Sequence, residues 1–385
     1  MNIPFYKPYL TGNEFKYMQD ILDKGTDLAG DGVYTKKVHA WFEKRYGVPK
    51  VLLTTSGTTA LELAVRLLNL KKDDEVIVPS FTFSSTVNAI LQTEGAKAVF
   101  VDIEPNTLNI DVDKIEEAIT TKTRAIMVVH YAGISCDMDK LMAIAKKHNL
   151  KVIEDAAQAI ESKYKGKYLG TIGDFGCLSF HGTKNVTSGE GGALFINKAD
   201  PAVIEQAEVI REKGTNRSKF LQGLVDKYTW VDIGGSYLPS DLLAAFLFAQ
   251  LEQVDLITNK RKERHAYYET QLSKHAERGL FTIPKTPQNV EFNAHIFYIV
   301  LPSEDTRNRV MKEIRAKGVS AAFHYIPLHS SPQGQKLGND PESLPITKEM
   351  SGRMLRLPLY SQITKEEQDY VISTLMEVLA TKQNM

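Results

Sequence analysis

Short apolar runs alternate with amphipathic helical stretches in the first part of the chain, and this alternation restricts the fold more than any other feature of the sequence. The runs are as long as buried strands and carry Val and Ile at successive positions rather than at alternate ones. They predict strands at residues 51–55, 75–78, 98–103, 125–130, 152–154, 177–180 and 193–197. Strands separated by helices indicate an α/β fold with a mainly parallel sheet that is covered on both faces.

The pattern changes after residue 251. Helices are predicted at 59–70, 83–93 and 137–148 before this point, between the apolar runs. Beyond it come a long charged helix at 258–276, a strand at 296–301, and helices at 305–317 and 364–379. We therefore predict a large α/β domain over residues 1–250 and a smaller C-terminal α+β domain over residues 251–385.

Composition excludes several classes of protein. Lys and Arg balance Asp and Glu at 47 each, so no net charge favours nucleic acid. The longest strongly apolar stretch, residues 242–251, is about half as long as a membrane span, and the amino terminus does not have the pattern of a secretory signal. Cys136 and Cys177 have neither metal-ligand spacing nor enough partners for a disulfide framework. We expect a cytoplasmic protein without metal, nucleic acid or membrane insertion.

Lys184 is the residue on which the functional prediction depends. It lies in Ser179-Phe-His-Gly-Thr-Lys184-Asn, after a predicted strand and before Gly189-Glu-Gly-Gly192. Most lysines of this chain lie in charged helical segments, whereas this one lies among small residues, where its amine can reach the aldehyde of a cofactor. Taken alone, the segment is also explained by an exposed loop lysine.

A carboxylate stands at the end of another predicted strand. Asp155 ends Lys-Val-Ile-Glu-Asp155, and Gln158 follows shortly after it. Ligands of open α/β sheets bind at the carboxyl ends of the strands. A carboxylate there can keep a pyridine nitrogen protonated, so that the ring accepts electrons from a carbanion. Taken alone, Asp155 is equally well explained as the N-cap of a following helix.

A small polar turn, Thr54-Thr-Ser-Gly-Thr-Thr-Ala-Leu61, joins the first predicted strand to its helix. Free N–H groups and the helix dipole suit such a turn to phosphate, and Gly57 lets the backbone approach closely. A simple capped turn is the alternative. At the end of the next strand, in Pro-Ser-Phe-Thr-Phe83, the last aromatic can cover one face of a planar ring, although an aromatic there is commonly part of the core.

In this order, the four segments resemble those of the DegT/DnrJ/EryC1/StrS family of sugar aminotransferases, and the resemblance extends over nearly the whole chain. It implies a fold-type I transferase that depends on pyridoxal 5'-phosphate. It also implies two catalytic residues: Lys184 forms the Schiff base and then acts as general base with a lowered pKa, and Asp155 pairs with the pyridine nitrogen. The other cofactor contacts that it implies are Gln158 at the ring oxygen, Phe83 on the ring face, and Thr58, Thr59 and Ser179 at the phosphate.

The resemblance further implies a homodimer or higher oligomer, in which the partner subunit completes the phosphate site. In the family an Asn of a GxNYR-like segment makes this contact. The matching segment here is Gly234-Gly-Ser236-Tyr-Leu238, in which Ser236 replaces the Asn and Leu238 the Arg. A serine can still donate one hydrogen bond.

Residues 130–133, 211–217, 226–230 and 323–329 resemble the branch of the family that makes TDP-4-amino-4,6-dideoxygalactose for enterobacterial common antigen. The implied reaction moves an amino group from L-glutamate to the C4 keto group of TDP-4-keto-6-deoxy-D-glucose. Arg217, with Lys213 and Lys219 beside it, is a candidate clamp for the sugar diphosphate. His324, Tyr325 and His329 are candidates for the border of the sugar pocket.

Other functions stay open at this point. The amination can occur at C3 or with gluco stereochemistry, and the nucleotide can be UDP. The related sugar 3-dehydratases carry histidine where Lys184 stands, and a regulator that binds the cofactor without turnover would add a DNA-binding module. A dehydrogenase would need GxGxxG after the first strand, where this chain has Ser-Gly-Thr-Thr.

Overall fold

A seven-stranded sheet forms the centre of the chain, for which a computed structural model describes residues 1–25 and 28–380. Its strands are β1 (Lys50–Thr54), β2 (Glu75–Pro79), β3 (Lys97–Val101), β4 (Thr123–Val129), β5 (Lys151–Asp155), β6 (Phe175–Ser179) and β7 (Gly192–Ile196). They lie in the order β1-β7-β6-β5-β4-β2-β3. Each predicted strand is present, which confirms the α/β class.

Strand β7 is the exception to the parallel arrangement. It pairs in the antiparallel sense with both β1 and β6, whereas the remaining pairs are parallel. A parallel neighbour requires a crossover, which is usually a helix. The connection from β6 to β7 contains no helix, so the chain turns back directly. This connection carries Lys184, and the return of the chain keeps that residue at the end of β6.

Helices cover both faces of the sheet, as the continuous apolar runs predict. The large-domain helices are α1 (Glu14–Asp23), α2 (Val33–Tyr46), α3 (Gly57–Arg66), α4 (Ser84–Leu91), α5 (Met138–Lys147), α6 (Pro201–Arg211), α7 (Arg217–Leu221) and α8 (Asp241–Glu252). One apolar core contains side chains of α2, α5 and α8, and the other contains side chains of α3, α4 and α6. In β1, Val51 and Leu53 belong to the first core and Leu52 to the second, so the strand buries both of its faces.

The smaller domain has a core of its own. It is built from α9 (Val254–Ala276), β8 (Phe297–Val300), α10 (Glu304–Ala316), α11 (Pro332–Lys336), α12 (Pro345–Arg353), β9 (Met354–Leu357) and α13 (Lys365–Ala380), and β8 pairs with β9 in the antiparallel sense. Two-residue strands at Lys163–Tyr164, Lys167–Tyr168 and Val290–Glu291 form a minor sheet. The last five residues assigned to this domain, 381–385, lie outside the described residues.

Helix α9 joins the two domains. Val254 and Ile257 at its start pack in the large-domain core, and Tyr268 and Leu272 pack in the small-domain core. At the other end of the sequence, Ile3 also packs in the small-domain core. The predicted boundary at 250/251 falls inside α8, whereas the packing changes along α9. Within the described ranges, no helix is long and apolar enough to cross a membrane.

Candidate active site

The carboxyl ends of the parallel strands open into a cavity of about 710 Å³ between the two domains. Most of the site residues predicted from the sequence line it, although they come from distant segments of the chain. These lining residues are Thr58, Phe83, Asp155, Gln158, Ser179, Lys184, His324 and Tyr325. Thr59, Arg217, Ser236 and His329 do not line the cavity of their own chain.

Lys184 is half-buried in this cavity. Its backbone N–H donates to the carbonyl of His181 at 2.9 Å, which holds the residue in a turn after β6. Burial lowers the pKa of Lys184 to about 8. The negative charge of Asp155 raises this pKa, and the positive charge of Arg356 lowers it further. The exposed-loop interpretation is therefore wrong, because the amine lies inside a cavity and loses its proton more readily than a solvated lysine does.

The lowered pKa of Lys184 predicts how covalent capture of pyridoxal by the cofactor-free chain depends on pH. Only the neutral amine is a nucleophile, so the capture rate should fall by about tenfold per pH unit below the lysine pKa and level off above it. We expect the midpoint near pH 8, the pKa of Lys184. Stopped-flow absorbance with pyridoxal, which has no phosphate to titrate, measures the profile. A midpoint near the ordinary lysine value of about 10.4 would contradict it.

Asp155 is buried at the end of β5 and held by two hydrogen bonds. The hydroxyl of Thr86 donates to its Oδ2 at 2.8 Å, and the N–H of Ala157 donates to its Oδ1 at 3.2 Å. Burial raises the pKa of Asp155, while these two hydrogen bonds and the charge of Lys184 lower it. The residues that follow Asp155 form a turn, so the carboxylate is not a helix N-cap.

The polar turn before α3 caps the helix and also leaves two backbone N–H groups free for an anion. The N–H of Thr59 donates to Ser56 Oγ at 3.1 Å, and the N–H of Ser56 donates to Thr59 Oγ1 at 3.0 Å. Among the described residues, no group accepts from the N–H of Gly57 or Thr58. A Cβ at Gly57 would lie 2.8 Å from Ser179 Cβ, so glycine is required there.

This arrangement corrects the prediction for Thr59. Its N–H is used within the helix cap, so Thr59 is not a free donor for phosphate. The two free donors are one and two residues earlier, at Gly57 and Thr58, where the dipole of α3 also favours an anion.

Phe83, Gln158 and Tyr325 form one wall of the cavity. Phe83 is 58% exposed, and its ring centroid lies 6.3 Å from that of Tyr325. Gln158 accepts at Oε1 from the N–H of Ala132 and donates from Nε2 to the hydroxyl of Tyr325, both at 2.8 Å. Gln158 is therefore fixed from two sides, and the Tyr325 proton stays available for a ligand.

His324 continues this wall and stacks on Tyr325, with ring centroids 3.7 Å apart. Its Nδ1 lies 2.7 Å from the hydroxyl of Tyr131. Burial and the charges of Arg356 and Lys184 hold the pKa of His324 well below its ordinary value. It therefore presents a neutral imidazole to the cavity.

The structure corrects one predicted substrate contact, His329, and places a second, Arg217, outside the cavity. His329 is fully buried, with Nδ1 2.7 Å from Ser80 Oγ and Nε2 3.2 Å from the carbonyl of Pro341, so its assignment to the sugar pocket is wrong. Arg217 begins α7, outside the cavity, with Nε 4.0 Å from Glu212 Oε1. Arg217 therefore does not line the cavity of its own chain, and its role as a clamp for the sugar diphosphate stays a prediction.

The neighbours of Arg217 are also paired with carboxylates. Lys213 Nζ lies 3.0 Å from Glu212 Oε1, and Lys219 Nζ lies 2.6 Å from Glu205 Oε1. Ser236 pairs with Glu212 through an isolated antiparallel backbone bridge, and it does not line the cavity of its own chain. Its contact with the phosphate site of a partner subunit stays a prediction.

Further residues of the site were not predicted from the sequence. Arg261 and Arg356 line the cavity from the small domain, and Thr86 fixes Asp155. The one local signal was Arg356 itself, a charged residue within the apolar run Met-Leu-Arg-Leu of β9.

The fold and the site together define the class of protein. A mainly parallel sheet with a lysine of lowered pKa and a buried carboxylate at neighbouring strand ends is the arrangement of a pyridoxal-phosphate-dependent transferase. The residues present also fit the cofactor: free N–H groups at Gly57 and Thr58 can donate to its phosphate, the Asp155 carboxylate can accept from its ring nitrogen, and the Lys184 amine can attack its aldehyde.

The chain belongs to the DegT/DnrJ/EryC1/StrS aminotransferase family, which matches residues 8–376. It is 34% identical over 382 residues to GDP-perosamine synthase of Escherichia coli O157:H7 and covers 99% of both chains. GDP-perosamine synthase of Caulobacter vibrioides is 34% identical over 377 residues, or 97% of both chains. The chain is therefore a pyridoxal-phosphate-dependent nucleotide-sugar aminotransferase.

A solved structure supports the same assignment. The putative sugar aminotransferase Spr1654 of Streptococcus pneumoniae, in its PMP form, superposes over 100% of both chains with a TM-score of 0.91 and 29% identity. Its PLP form superposes over 99% of both chains, also with a TM-score of 0.91.

Proposed function

We propose that this enzyme transfers the amino group of L-glutamate to C4 of TDP-4-keto-6-deoxy-D-glucose and forms TDP-4-amino-4,6-dideoxy-D-galactose. The observation that carries the aminotransfer is the placement of the Lys184 amine and the Asp155 carboxylate in one cavity, with the amine pKa lowered to about 8. The choice of sugar and nucleotide rests on the resemblance of residues 130–133, 211–217, 226–230 and 323–329 to one branch of the family. In enteric bacteria, the product would serve enterobacterial common antigen, and the reaction would take place in the cytoplasm.

The roles of the site residues follow from their surroundings. When bound, pyridoxal phosphate supplies an aldehyde that exchanges amino groups and a pyridinium that stabilises a carbanion. Lys184 Nζ removes the proton from the donor Cα, which its lowered pKa permits near neutral pH. Asp155, oriented by Thr86 and Ala157, keeps the ring nitrogen protonated. The N–H groups of Gly57 and Thr58 hold the phosphate.

Tyr325 and His324 are the proposed sugar contacts within the chain. The Tyr325 hydroxyl accepts from Gln158 and so directs its own proton to another acceptor. Neutral His324 can exchange a hydrogen bond with a sugar hydroxyl without adding charge to the cavity. Both lie on the wall that carries Phe83, next to the cofactor-binding end of the cavity.

A homodimer would complete the site. Trp230 and Ile233 are 73% and 71% exposed, close in sequence to Ser236. Large exposed apolar side chains in one segment are typical of an interface, so a second copy covering them would bring Ser236 to the phosphate site of its partner.

A substrate panel tests the proposed function. The purified enzyme, L-glutamate and a 4-keto-6-deoxysugar linked to TDP, GDP or UDP are combined, and the product is analysed by NMR. We expect an axial amine at C4 of the TDP sugar, with kcat/KM at least about tenfold above that of the other nucleotides. The GDP sugar is included because of the similarity to GDP-perosamine synthases.

The other outcomes of the panel separate the alternatives. A preference for GDP, an equatorial amine or amination at C3 would each replace the proposed substrate or product with another aminotransfer reaction. Loss of the sugar 3-hydroxyl without amino transfer would indicate the dehydratase alternative, and cofactor binding without turnover would indicate a regulator.

A further inference from the structure

His329, which does not line the cavity, connects the small domain to the large one. Its partner is Ser80, a fully buried residue that directly follows β2. The carbonyl of Ser80 accepts from the N–H of Leu328 at 3.0 Å, and Ser80 Oγ accepts from the N–H of His329 at 3.0 Å. The same Oγ lies 2.7 Å from His329 Nδ1. A single residue at the end of β2 therefore holds two consecutive residues of the small domain, and we call this contact the Ser80–His329 link.

The surroundings of the imidazole fix the position of its proton. His329 Nε2 lies 3.2 Å from the carbonyl of Pro341, which can only accept, so Nε2 carries the proton. Burial holds the pKa of His329 below its ordinary value, so the ring is neutral near pH 7. The contact with Pro341 opposes this shift, as do three nearby carboxylates: Asp102, Asp340 and Glu342. Nδ1 is then an acceptor for the hydroxyl of Ser80, and both ring nitrogens have partners.

The Ser80–His329 link lies close along the chain to the proposed sugar contacts. Tyr325 and Leu328 are separated by two residues, and one of them is Pro327, whose ring fixes its backbone φ angle. Phe81, next to Ser80, packs edge-on against Tyr325 with ring centroids 5.5 Å apart. The segment is therefore held by two adjacent residues of the large domain, and the place of Tyr325 in the cavity wall depends on where Leu328 and His329 are anchored.

A second contact joins the same two domains farther along the chain. Asp102 directly follows β3, and its Oδ1 accepts from the N–H and the hydroxyl of Thr347 at 2.8 and 2.7 Å. Thr347 is fully buried near the start of α12, so α11 and the loop after it separate this contact from Tyr325. The contact at Thr347 therefore offers a comparison in which the domains lose a buried hydroxyl without any change at residues 323–329.

We propose that Ser80 and His329 are positioning residues, whose link fixes Tyr325 and His324 in the part of the cavity wall that binds the sugar. The inference rests on the proposed function, which makes these two side chains the sugar contacts. Neither Ser80 nor His329 lines the cavity, so both act through the segment that they hold. Lys184 and Asp155 stand at the ends of other strands, so the link affects amination of the sugar more than amino transfer from the donor.

Hydrogen exchange measured by mass spectrometry tests the Ser80–His329 link without turnover. In cofactor-bound Ser80→Ala, the N–H of His329 loses its acceptor, so a peptide covering residues 323–329 should exchange at least about fivefold faster than in the wild-type. Thr347→Val is the matched control, because it removes a buried hydroxyl from the other contact between the domains and should leave exchange of this peptide unchanged.

The two half-reactions test whether the link acts on the sugar. Ser80→Ala should raise the KM for the sugar nucleotide by about tenfold when the amine-form enzyme aminates it, the effect of a lost hydrogen bond between buried groups. Amino transfer from L-glutamate to the cofactor should change by less than about twofold. Thr347→Val should leave both half-reactions unchanged. Any nucleotide sugar that the wild-type aminates can serve, so the test does not depend on the nucleotide.

Two replacements of His329 separate its two hydrogen bonds. In His329→Asn, the amide oxygen can take the place of Nδ1 as acceptor for Ser80, whereas in His329→Gln, the amide nitrogen can donate to Pro341 but the acceptor is lost. We expect the Asn variant to retain most of the sugar affinity and the Gln variant to resemble Ser80→Ala. Thermal unfolding checks that each variant is folded, and if Ser80→Ala does not fold, the Asn and Gln variants provide the comparison.

A double-mutant cycle with Tyr325 tests the route by which the link acts. If Ser80 acts through Tyr325, adding Ser80→Ala to Tyr325→Phe should raise the KM for the sugar nucleotide by less than about twofold. Additive effects, equal impairment of both half-reactions, or unchanged exchange of residues 323–329 would overturn the positioning role. Faster exchange in Ser80→Ala, together with a wild-type enzyme that aminates no sugar nucleotide, would support the link and show that the proposed sugar reaction is wrong.

Discussion

Replacing Lys184 by alanine is expected to reduce amino transfer by at least about 10⁴-fold. The variant loses both the covalent attachment of the cofactor and the base that moves the proton at the donor Cα. General-base catalysis alone contributes about 10²–10⁴-fold. Turnover is measured as oxoglutarate released from L-glutamate in the presence of the sugar nucleotide. Retention of wild-type turnover in a purified variant would refute the role of Lys184.

A second readout for the Lys184 prediction does not depend on turnover. Borohydride reduction of the cofactor-bound wild-type should fix the pyridoxyl group on Lys184, where peptide mass spectrometry can locate it, and the Lys184→Ala variant should show no near-visible absorbance from lysine-bound cofactor. Lys167→Ala is the control, because Lys167 is exposed in a two-residue strand away from the cavity. A pyridoxyl group on another lysine would contradict the assignment.

Replacing Asp155 by asparagine is expected to lower kcat by about 10³-fold, or about 4 kcal/mol. The cause is the loss of the negative charge that keeps the ring nitrogen protonated while carbanion charge develops. Asparagine can accept from the N–H of Ala157 at Oδ1 and donate from Nδ2 to the hydroxyl of Thr86, which can accept as well as donate, so both contacts of Asp155 can persist. The expected loss is therefore in the chemical step, with folding largely retained.

A modified cofactor separates the charge effect of Asp155 from a structural one. N-methylpyridoxal phosphate carries a fixed positive charge on the ring nitrogen and does not need a carboxylate to keep it. With this cofactor, the kcat of the Asp155→Asn variant should fall much less below that of the wild-type than it does with pyridoxal phosphate. An equal loss with both cofactors would show that Asp155 acts by shaping the cavity.

Much of the fold was predictable because its signals are local. Each strand of the main sheet buries both faces, so its apolar run is visible without knowledge of its neighbours, and the helices between the runs carry their own periodicity. The site residues at strand ends were predictable for the same reason: once the strands are known, Asp155 and Lys184 follow at positions where parallel sheets bind ligands.

The predictions that failed concern hydrogen-bond partners within the chain, which the local sequence does not specify. Thr59 follows Thr58 directly in the sequence, yet the N–H of Thr59 is taken by the side chain of Ser56, whereas no described group accepts from the N–H of Thr58. His329 lies five residues after His324, yet one is fully buried against Ser80 and the other lines the cavity. Periodicity gives the face or the strand end on which a residue stands, but not which group is already bonded to it.

The sequence by itself determined the order of strands and helices, the residues at the strand ends and, through them, the chemistry of the cofactor site. Only the tertiary structure decided the direction of β7, the packing of α9 in two cores and the position of Arg356 in the wall of the cavity. The physical reason is the range of the forces. Hydrophobic periodicity and capping act over a few neighbouring residues, whereas the surroundings of a buried charge come from segments that meet when the chain closes on itself.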